Sequence, residues 1–420
     1  RVSNHPGVAL ATSGPGATNL ITAIACSWFD SIPAIFITGQ VTRFRMKGNL
    51  KVRQIGFQET DIISVVKTIT KYNTQILNVN NIKKELDKCF YFALEGRPGP
   101  VLIDIPDDIQ RLELTSRQLK LINKKVNFKI KKKYSSSNLN NKCKKLVSLI
   151  KNSSRPIIIP GNGIRLSNSI KDLKKLQKFL AIPYAPTWAT LDFFKSNDIY
   201  NAGPFGTHGL RAGNFAVQNS DLIISIGSRL GTRETGSPLS SFGRKAKLVV
   251  VDIDQNEIKK FSKFGRKSQL SINCDIKLFL KYLNKHLRND HTKITYNNWV
   301  GIINKWKKKY TPGQGRKLTN KVNPYFLLSN LNKYLSKDEI IFSDTGSAIA
   351  WITQSFNFNS KHRLIHDFNN TAMGYALPAS IGAKLANQKF NVTCLVGDGS
   401  FMMNIQELST LKEYKIPIKI

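Results

Sequence analysis

A single aspartate set between two glycines, in Gly397-Asp398-Gly399-Ser400, is placed for metal chemistry. Ahead of it, Val392 to Val396 form a short apolar run with β-branched members, the pattern of a buried parallel strand, which the glycines then break. After it, Phe401, Ile405, Leu408 and Leu411 recur at intervals of three and four, which predicts one helix with Ser400 as its cap. Strand end, glycine turn and helix start together aim unpaired backbone N–H groups and a helix dipole at one point, where an anion binds. A carboxylate stands beside that anion only if a cation lies between them, because two negative groups at contact distance repel. The economical reading is a magnesium ion that joins Asp398 to a diphosphate.

Two further stretches carry the same kind of backbone. Asp344-Thr-Gly-Ser347 follows a strand, and its glycine and small residues bring N–H groups toward a phosphate; a plain connecting turn would use the same residues. In Asn370-Thr-Ala-Met-Gly-Tyr-Ala-Leu-Pro-Ala-Ser-Ile-Gly-Ala383, Pro378 suits the first turn of a helix, and the small residues after it allow close packing on a sheet or ligand.

Taken together, Gly397-Asp-Gly-Ser followed by Phe-Met-Met-Asn-Ile-Gln-Glu-Leu408 resembles the diphosphate and metal motif of thiamine-diphosphate enzymes, in particular the acetolactate (acetohydroxyacid) synthase large subunit. The resemblance implies that Gly346, Ser347 and Ala348 form a diphosphate-contacting loop, where that family usually carries Gly-Gln-His. It implies that Met373 wedges between the two rings of the cofactor, a task suited to an unbranched, polarizable side chain. Thr12-Ser-Gly-Pro-Gly-Ala-Thr-Asn19 and Gly56-Phe-Gln-Glu59 resemble the pyrimidine-binding domain of the same enzymes, so Phe57 and Gln58 are expected to line the active site across a subunit boundary, with Gln58 bonding substrate. Arg97, Gly161, Gly163, His208, Arg233 and Asp252 fall, more loosely, where the family holds a non-redox FAD. Gly231 and Thr232 replace the family's paired aspartates, and Asp107 replaces a lysine. The loop 42–55 is longer and more basic than is typical.

The elements that must position these residues alternate along the chain. A strand starting at 7 is expected to run into a tight turn and a helix through about 29; further strands are expected at 34–38, 100–105, 156–160, 221–227, 247–253, 339–343 and 392–396, and further helices at 82–94, 169–180, near 299–310 and from about 378. Repeated β and α units imply an α/β protein of three consecutive parallel-sheet domains: a pyrimidine-binding domain at 1–112, a central Rossmann-like domain at 140–283 and a diphosphate-binding domain at 320–420. Polar stretches at 111–142 and 284–323 read as linkers. The first and last domains read as incomplete, and residues 416–420 as the opening of a new strand.

Composition narrows the class. With 420 residues and 41% hydrophobic content the chain can bury several cores, and five scattered cysteines without metal spacing or a disulfide framework fit a reducing cytoplasm. His5, His286, His291, His362 and His366 likewise lack metal spacing. No apolar run approaches membrane-spanning length. The net charge of +37 raises nucleic acid as a partner, but the lysines are spread over the whole length, which reads as a solvated surface.

The resemblance therefore implies thiamine diphosphate and Mg2+, with FAD as a further cofactor, and decarboxylation of a 2-oxo acid such as pyruvate followed by carboligation, in branched-chain amino acid biosynthesis. The expected assembly is a homodimer or higher oligomer, with a regulatory subunit as a further partner and neither nucleic acid nor membrane. It also implies an activating glutamate ahead of residue 1 and a second metal ligand after residue 420, so the polypeptide alone is expected to be inactive. The alternatives are a related carboligase of specialised or surface-polysaccharide metabolism, and a noncatalytic cofactor-binding homologue.

Overall fold

In the computed structural model, residues 1–3, 5–122, 128, 136–288, 295–313 and 320–420 are described. Their backbone contacts gather into two compact units, residues 1–132 with 367–372, and residues 133–366 with 373–420.

The first unit holds a four-stranded parallel sheet in the order β1 (Gly7–Ala11), β2 (Ala34–Gln40), β4 (Pro100–Pro106), β3 (Tyr72–Gln75). Side chains alternate across it, as the two-residue period of a strand requires. Ile35, Val101 and Ile103 pack with Cys89 and Ala93 of helix Ile82–Leu94, while Phe36 and Leu102 pack on the other face with Ile24 of helix Ile21–Asp30. A sheet covered on both faces needs near-continuous apolar strands, which is how β4 reads apart from Asp104.

The second unit holds two parallel sheets. One has the order β5 (Pro156–Pro160), β6 (Leu222–Ile226), β7 (Lys247–Asp252), β8 (Leu270–Asn273); the other has the order β10 (Arg363–Ile365), β9 (Ile340–Ser343), β11 (Val392–Leu395). β5, β6 and β9 are buried along their whole length. All three sheets are parallel, so the α/β reading of three parallel-sheet domains holds.

Several expectations are corrected. The run from Phe401 to Leu411 is two short helices, Asp398–Met402 and Glu407–Glu413, with turns between them. Gly397, not Ser400, occupies the cap position, and Ser400 is a buried member of the first helix. The end of the 111–142 stretch is no linker, because helix Ser136–Lys151 buries Leu139, Cys143 and Leu146 in the β5–β8 core. Lys124, Lys125, Lys131 to Lys133 and His291 lie outside the described residues. The 284–323 stretch opens inside helix Ile276–Arg288, and helix Asn297–Lys309 buries Trp299 and Ile303 in the same core, with Trp299 Nε1 donating to the Pro156 carbonyl at 3.1 Å. Lys307 to Lys309 close that helix. The helix expected from Pro378 begins at Ala376.

Candidate cofactor and substrate site

In the third sheet the chain leaves central strand β9, adds β10 on one side, and crosses back to lay β11 on the other. Ligands of open α/β sheets bind at such a reversal, outside the carboxyl ends of the strands. Two of the candidate loops lie there. After β9, Gly346 takes φ 78°, a left-handed setting that a side chain would strain, and starts helix Ser347–Ser355 with no side-chain cap. After β11, Gly397 starts helix Asp398–Met402, also without a side-chain cap. Gly346, Ser347, Gly397, Asp398 and Gly399 are exposed and Ala348 is half-buried. A Cβ on Gly346 or Gly397 would meet no atom within 4 Å, so both turns are open to a ligand.

The third loop is pinned beside them by a residue that the sequence reading passed over as part of a turn. Asp344 is fully buried, and its carboxylate accepts from the backbone N–H groups of Thr345 at 2.9 Å, Gly374 at 3.2 Å and Ala376 at 2.8 Å. Asn404 Nδ2 donates to the Gly374 carbonyl at 2.7 Å from the far side. Met373, half-exposed, is thereby set so that its terminal methyl lies 3.5 Å from where a Gly399 Cβ would be. Met373 and the Asp398 turn are thus neighbours.

In the first unit the loops at the carboxyl ends of β1 and β2 meet. A Cβ on Gly14 would come within 2.8 Å of Gln58 Cβ, so only glycine allows the approach. Gln58 itself takes φ 63°, and Phe57 is 85% exposed. Glu59 explains how the long basic loop is held. Its buried carboxylate accepts from Lys47 N at 2.6 Å and Ile55 N at 2.9 Å, stapling the two sides of 47–55 together. Arg43 pairs with Asp108 at 2.6 Å, which helps to hold that carboxyl below its usual range against the opposing effect of burial. Asp107 pairs with Arg111 on the surface.

The residues expected at a flavin divide. Arg97 belongs to the first unit, where its Nε donates to Ser31 Oγ at 2.8 Å. Gly161, Gly163, His208, Arg233 and Asp252 belong to the second and follow the carboxyl ends of β5 to β7 or the loops beside them. The N–H groups of Gly161 and Gly163 are bonded to the carbonyls of Ile226 and Gly227, and a Cβ on Gly161 would lie 2.2 Å from Gly227 O. Those glycines serve close strand-loop packing. Arg233 Nη1 lies 3.3 Å from His208 Nε2, and the His208 ring lies 5.1 Å from that of Trp188, whose buried Nε1 has no partner. Burial, then the neighbouring Arg233 charge, pushes the His208 imidazole below its ordinary value. Asp252, at the end of β7, accepts from Asp254 N at 2.9 Å.

These residues fit a diphosphate-bearing cofactor at the third sheet: bare glycine turns, helix starts without a side-chain N-cap, an exposed carboxylate that accepts from Gly399 N at 2.8 Å, and a thioether beside it. Among the described residues no group of three or more His, Cys, Asp or Glu could hold a metal ion. Among them too, no helix is long and apolar enough to cross a membrane. All five cysteines are buried and free.

Three family models match the chain in order. They are the thiamine pyrophosphate enzyme N-terminal TPP binding domain over residues 1–65, the thiamine pyrophosphate enzyme central domain over 143–283, and the thiamine pyrophosphate enzyme C-terminal TPP binding domain over 344–420. Among similar proteins, acetolactate synthase, chloroplastic, of Arabidopsis thaliana is 34% identical, over 100% of this chain and 60% of the relative. Acetolactate synthase 3, chloroplastic, of Brassica napus is 35% identical, over 100% and 62%, and acetolactate synthase 1, chloroplastic, of Zea mays is 33% identical, over 100% and 64%. The chain thus spans 60% to 64% of the length of these relatives.

Proposed function

Since this chain belongs to the thiamine pyrophosphate enzymes, and its relatives are named acetolactate synthases, we propose that the whole protein decarboxylates a 2-oxo acid, pyruvate first among them, and joins the remaining unit to a second carbonyl compound. The observation that carries this reading is the pair of open glycine turns at the reversal of the third sheet, with Met373 against one of them. The N–H groups at Gly346, Ser347 and Ala348 and at Gly397 and Ser400 would hold the diphosphate, and Asp398, whose Oδ1 accepts from Gly399 N at 2.8 Å, would hold Mg2+ with its other oxygen. When bound, thiamine diphosphate supplies the electron sink that lets a 2-oxo acid lose carbon dioxide. Phe57 offers an apolar ring that sheds water, and Gln58 offers an amide that donates to a substrate oxygen. Supply of those two residues to a neighbouring subunit's cofactor would make the protein at least a dimer.

FAD extends the reading. Its support is the Trp188, His208 and Arg233 cluster with an unpartnered indole N–H, rather than the glycines. A flavin absorption band in the purified protein checks it. The basic loop 42–55 and the carboxylates Asp107 and Asp108 favour a second reading, in which the acceptor differs from that of an acetolactate synthase; a panel of 2-oxo acids and aldehydes separates the two.

The test uses the full-length protein. Calorimetry is expected to show magnesium-dependent uptake of thiamine diphosphate, and pyruvate to yield acetolactate; Asp398→Ala is expected to abolish the magnesium dependence. Uptake unchanged by that substitution would remove the basis of the reading.

A further inference from the structure

The proposed function makes no use of the most deeply buried carboxylate of the first sheet. Asp104 lies in β4 with no exposed surface, where a strand covered on both faces calls for an apolar residue. Its register neighbours are Thr38 on β2 and Gln75 on β3. Thr38 Oγ1 donates to Asp104 Oδ1 at 2.6 Å, and Gln75 Nε2 donates to Oδ2 at 2.8 Å. A third donor comes from Gln40, two residues beyond Thr38 and on the same face of β2. Its Nε2 lies 3.2 Å from Asp104 Oδ2 and 2.7 Å from the carbonyl of Thr60. Gln40 Oε1 meanwhile accepts from Val41 N at 3.0 Å, so the amide cannot turn over without losing all three bonds.

A buried carboxylate is costly unless every lone pair finds a donor, and here three side chains from two flanking strands are committed to one. Burial pushes the Asp104 carboxyl above its usual range while those donors pull it back. Packing alone does not explain the arrangement, since a valine would fill β4 and leave Thr38, Gln40 and Gln75 nothing to hold. What the carboxylate secures is a direction: it locks Gln40, and Gln40 grips Thr60, two residues after Gln58. That residue needs gripping. At φ 63° it occupies a region that strains a side-chain-bearing residue and persists only where the surroundings over-determine it. Glu59 secures the preceding loop, Gly14 receives Gln58, and the Gln40 bond fixes the exit.

We propose that Asp104 is a positioning residue for the loop 56–60, acting through Gln40 to hold Gln58 and Phe57 in the arrangement that receives substrate. The proposal rests on the reading of Gln58 as a substrate-facing residue. Asp104→Asn keeps the volume but sets an amide against donors, and Gln40→Met keeps the length but releases Thr60.

The experiment compares Asp104→Asn, Gln40→Met, Gln58→Ala and the pairwise doubles in the full-length protein. Each of the first two variants is expected to lower kcat on the order of 10-fold or more, as a misplaced contact does, and to lower it no further in the Gln58→Ala background. Amide exchange is expected to quicken on the order of 10-fold in peptides covering 56–60 while those covering 34–38 stay protected. Effects that multiply with Gln58→Ala, or exchange that quickens equally throughout the sheet, would overturn the positioning role. Should Asp104→Asn fail to fold, Gln40→Met gives the same readouts. Wild-type kcat and KM in Gln58→Ala would instead reject the substrate-facing reading, and the proposal with it.

Discussion

Thr371 is held at φ 55°, and it is the one β-branched residue among the described side chains that take the left-handed region. The branch at Cβ crowds the backbone there more than a linear side chain does. Its N–H donates to the Asp367 carbonyl at 3.1 Å, and the Asp367 carboxylate accepts from Ala372 N at 2.9 Å, so the turn ahead of Met373 is closed by bonds that use no Thr371 side-chain atom and that a glycine would keep. Thr371→Gly therefore removes strain of about 1–3 kcal/mol and adds the unfolded-state entropy of glycine, about 1 kcal/mol. The expected result is a net gain of about 1 kcal/mol, read as a raised urea midpoint with an unchanged slope. A lowered midpoint would show that the threonine side chain contributes more than its backbone costs. Gln58 sits under similar strain, but there the neighbouring bonds serve a loop that carries a candidate substrate contact, so the same exchange to glycine would be felt in activity.

At the scale of elements, the amino-terminal edge of the third sheet is closed by a second buried carboxylate. Glu339, just before β9, is fully buried and accepts from Lys419 Nζ at 2.8 and 2.9 Å, Thr393 Oγ1 at 2.7 Å and Ser336 N at 3.1 Å. Residues 416–420, read as the start of a strand, do lie beside β11: Lys419 N donates to Val392 O at 3.0 Å and Cys394 N to Lys419 O at 2.7 Å. Burial alone would push the Glu339 carboxyl up, but the Lys419 ammonium and the other donors hold it below the usual glutamate range. A carboxyl whose folded value is depressed contributes stability that is fully present above its unfolded value and is lost as pH falls through the folded one. Glu339→Gln is accordingly expected to cost roughly 1–3 kcal/mol near neutral pH, and less below the ordinary glutamate range, as the wild type loses the same contribution. A difference independent of pH would show that the ion pair is not its source. Such residues mark the limit of what the sequence discloses. The glycine turns at Gly346 and Gly397 were legible because breaking an apolar strand with glycine leaves a local signature. Asp104, Glu339 and Asp344 were not, because each is defined by donors 29 to 80 residues away that only the fold brings near. Strands β3, β8 and β10 were missed for a related reason: each has only three or four residues, and β3 is wholly polar apart from Tyr72, so no periodicity could announce them. The break at Met403 in the helix after Asp398 escaped because Phe401, Ile405 and Leu408 keep helical spacing across a turn that Asn404 forms by bonding Gly374.

Across the molecule the excess of positive charge is larger at the surface than the composition states. Of the 27 acidic residues, Asp30, Glu59, Asp104, Asp192, Asp252, Glu339, Asp344 and Asp367 are buried, whereas no lysine or arginine is buried among the described residues. The buried carboxylates are consumed in holding loops and strand ends, and the described basic side chains are all exposed or half-buried. A surface of one dominant sign repels itself and opposes the compact state, and salt relieves the repulsion. Between about 0.01 M and 0.1 M salt the screening length shrinks from about 30 Å to about 10 Å, which separates most surface charges but leaves the buried carboxylate networks untouched. Thermal stability is therefore expected to rise by a few degrees over that range, with the gain equal in sodium chloride and sodium acetate at matched ionic strength, since the effect is screening rather than binding. A melting temperature that falls with salt would mean that surface ion pairs outweigh the repulsion. The densest described run of lysines, Lys307 to Lys309, closes a helix that buries Trp299 and Ile303 in the β5–β8 core, with the Lys307 ammonium 3.3 Å from the Asp198 carbonyl, so its charge is set on a rigid element.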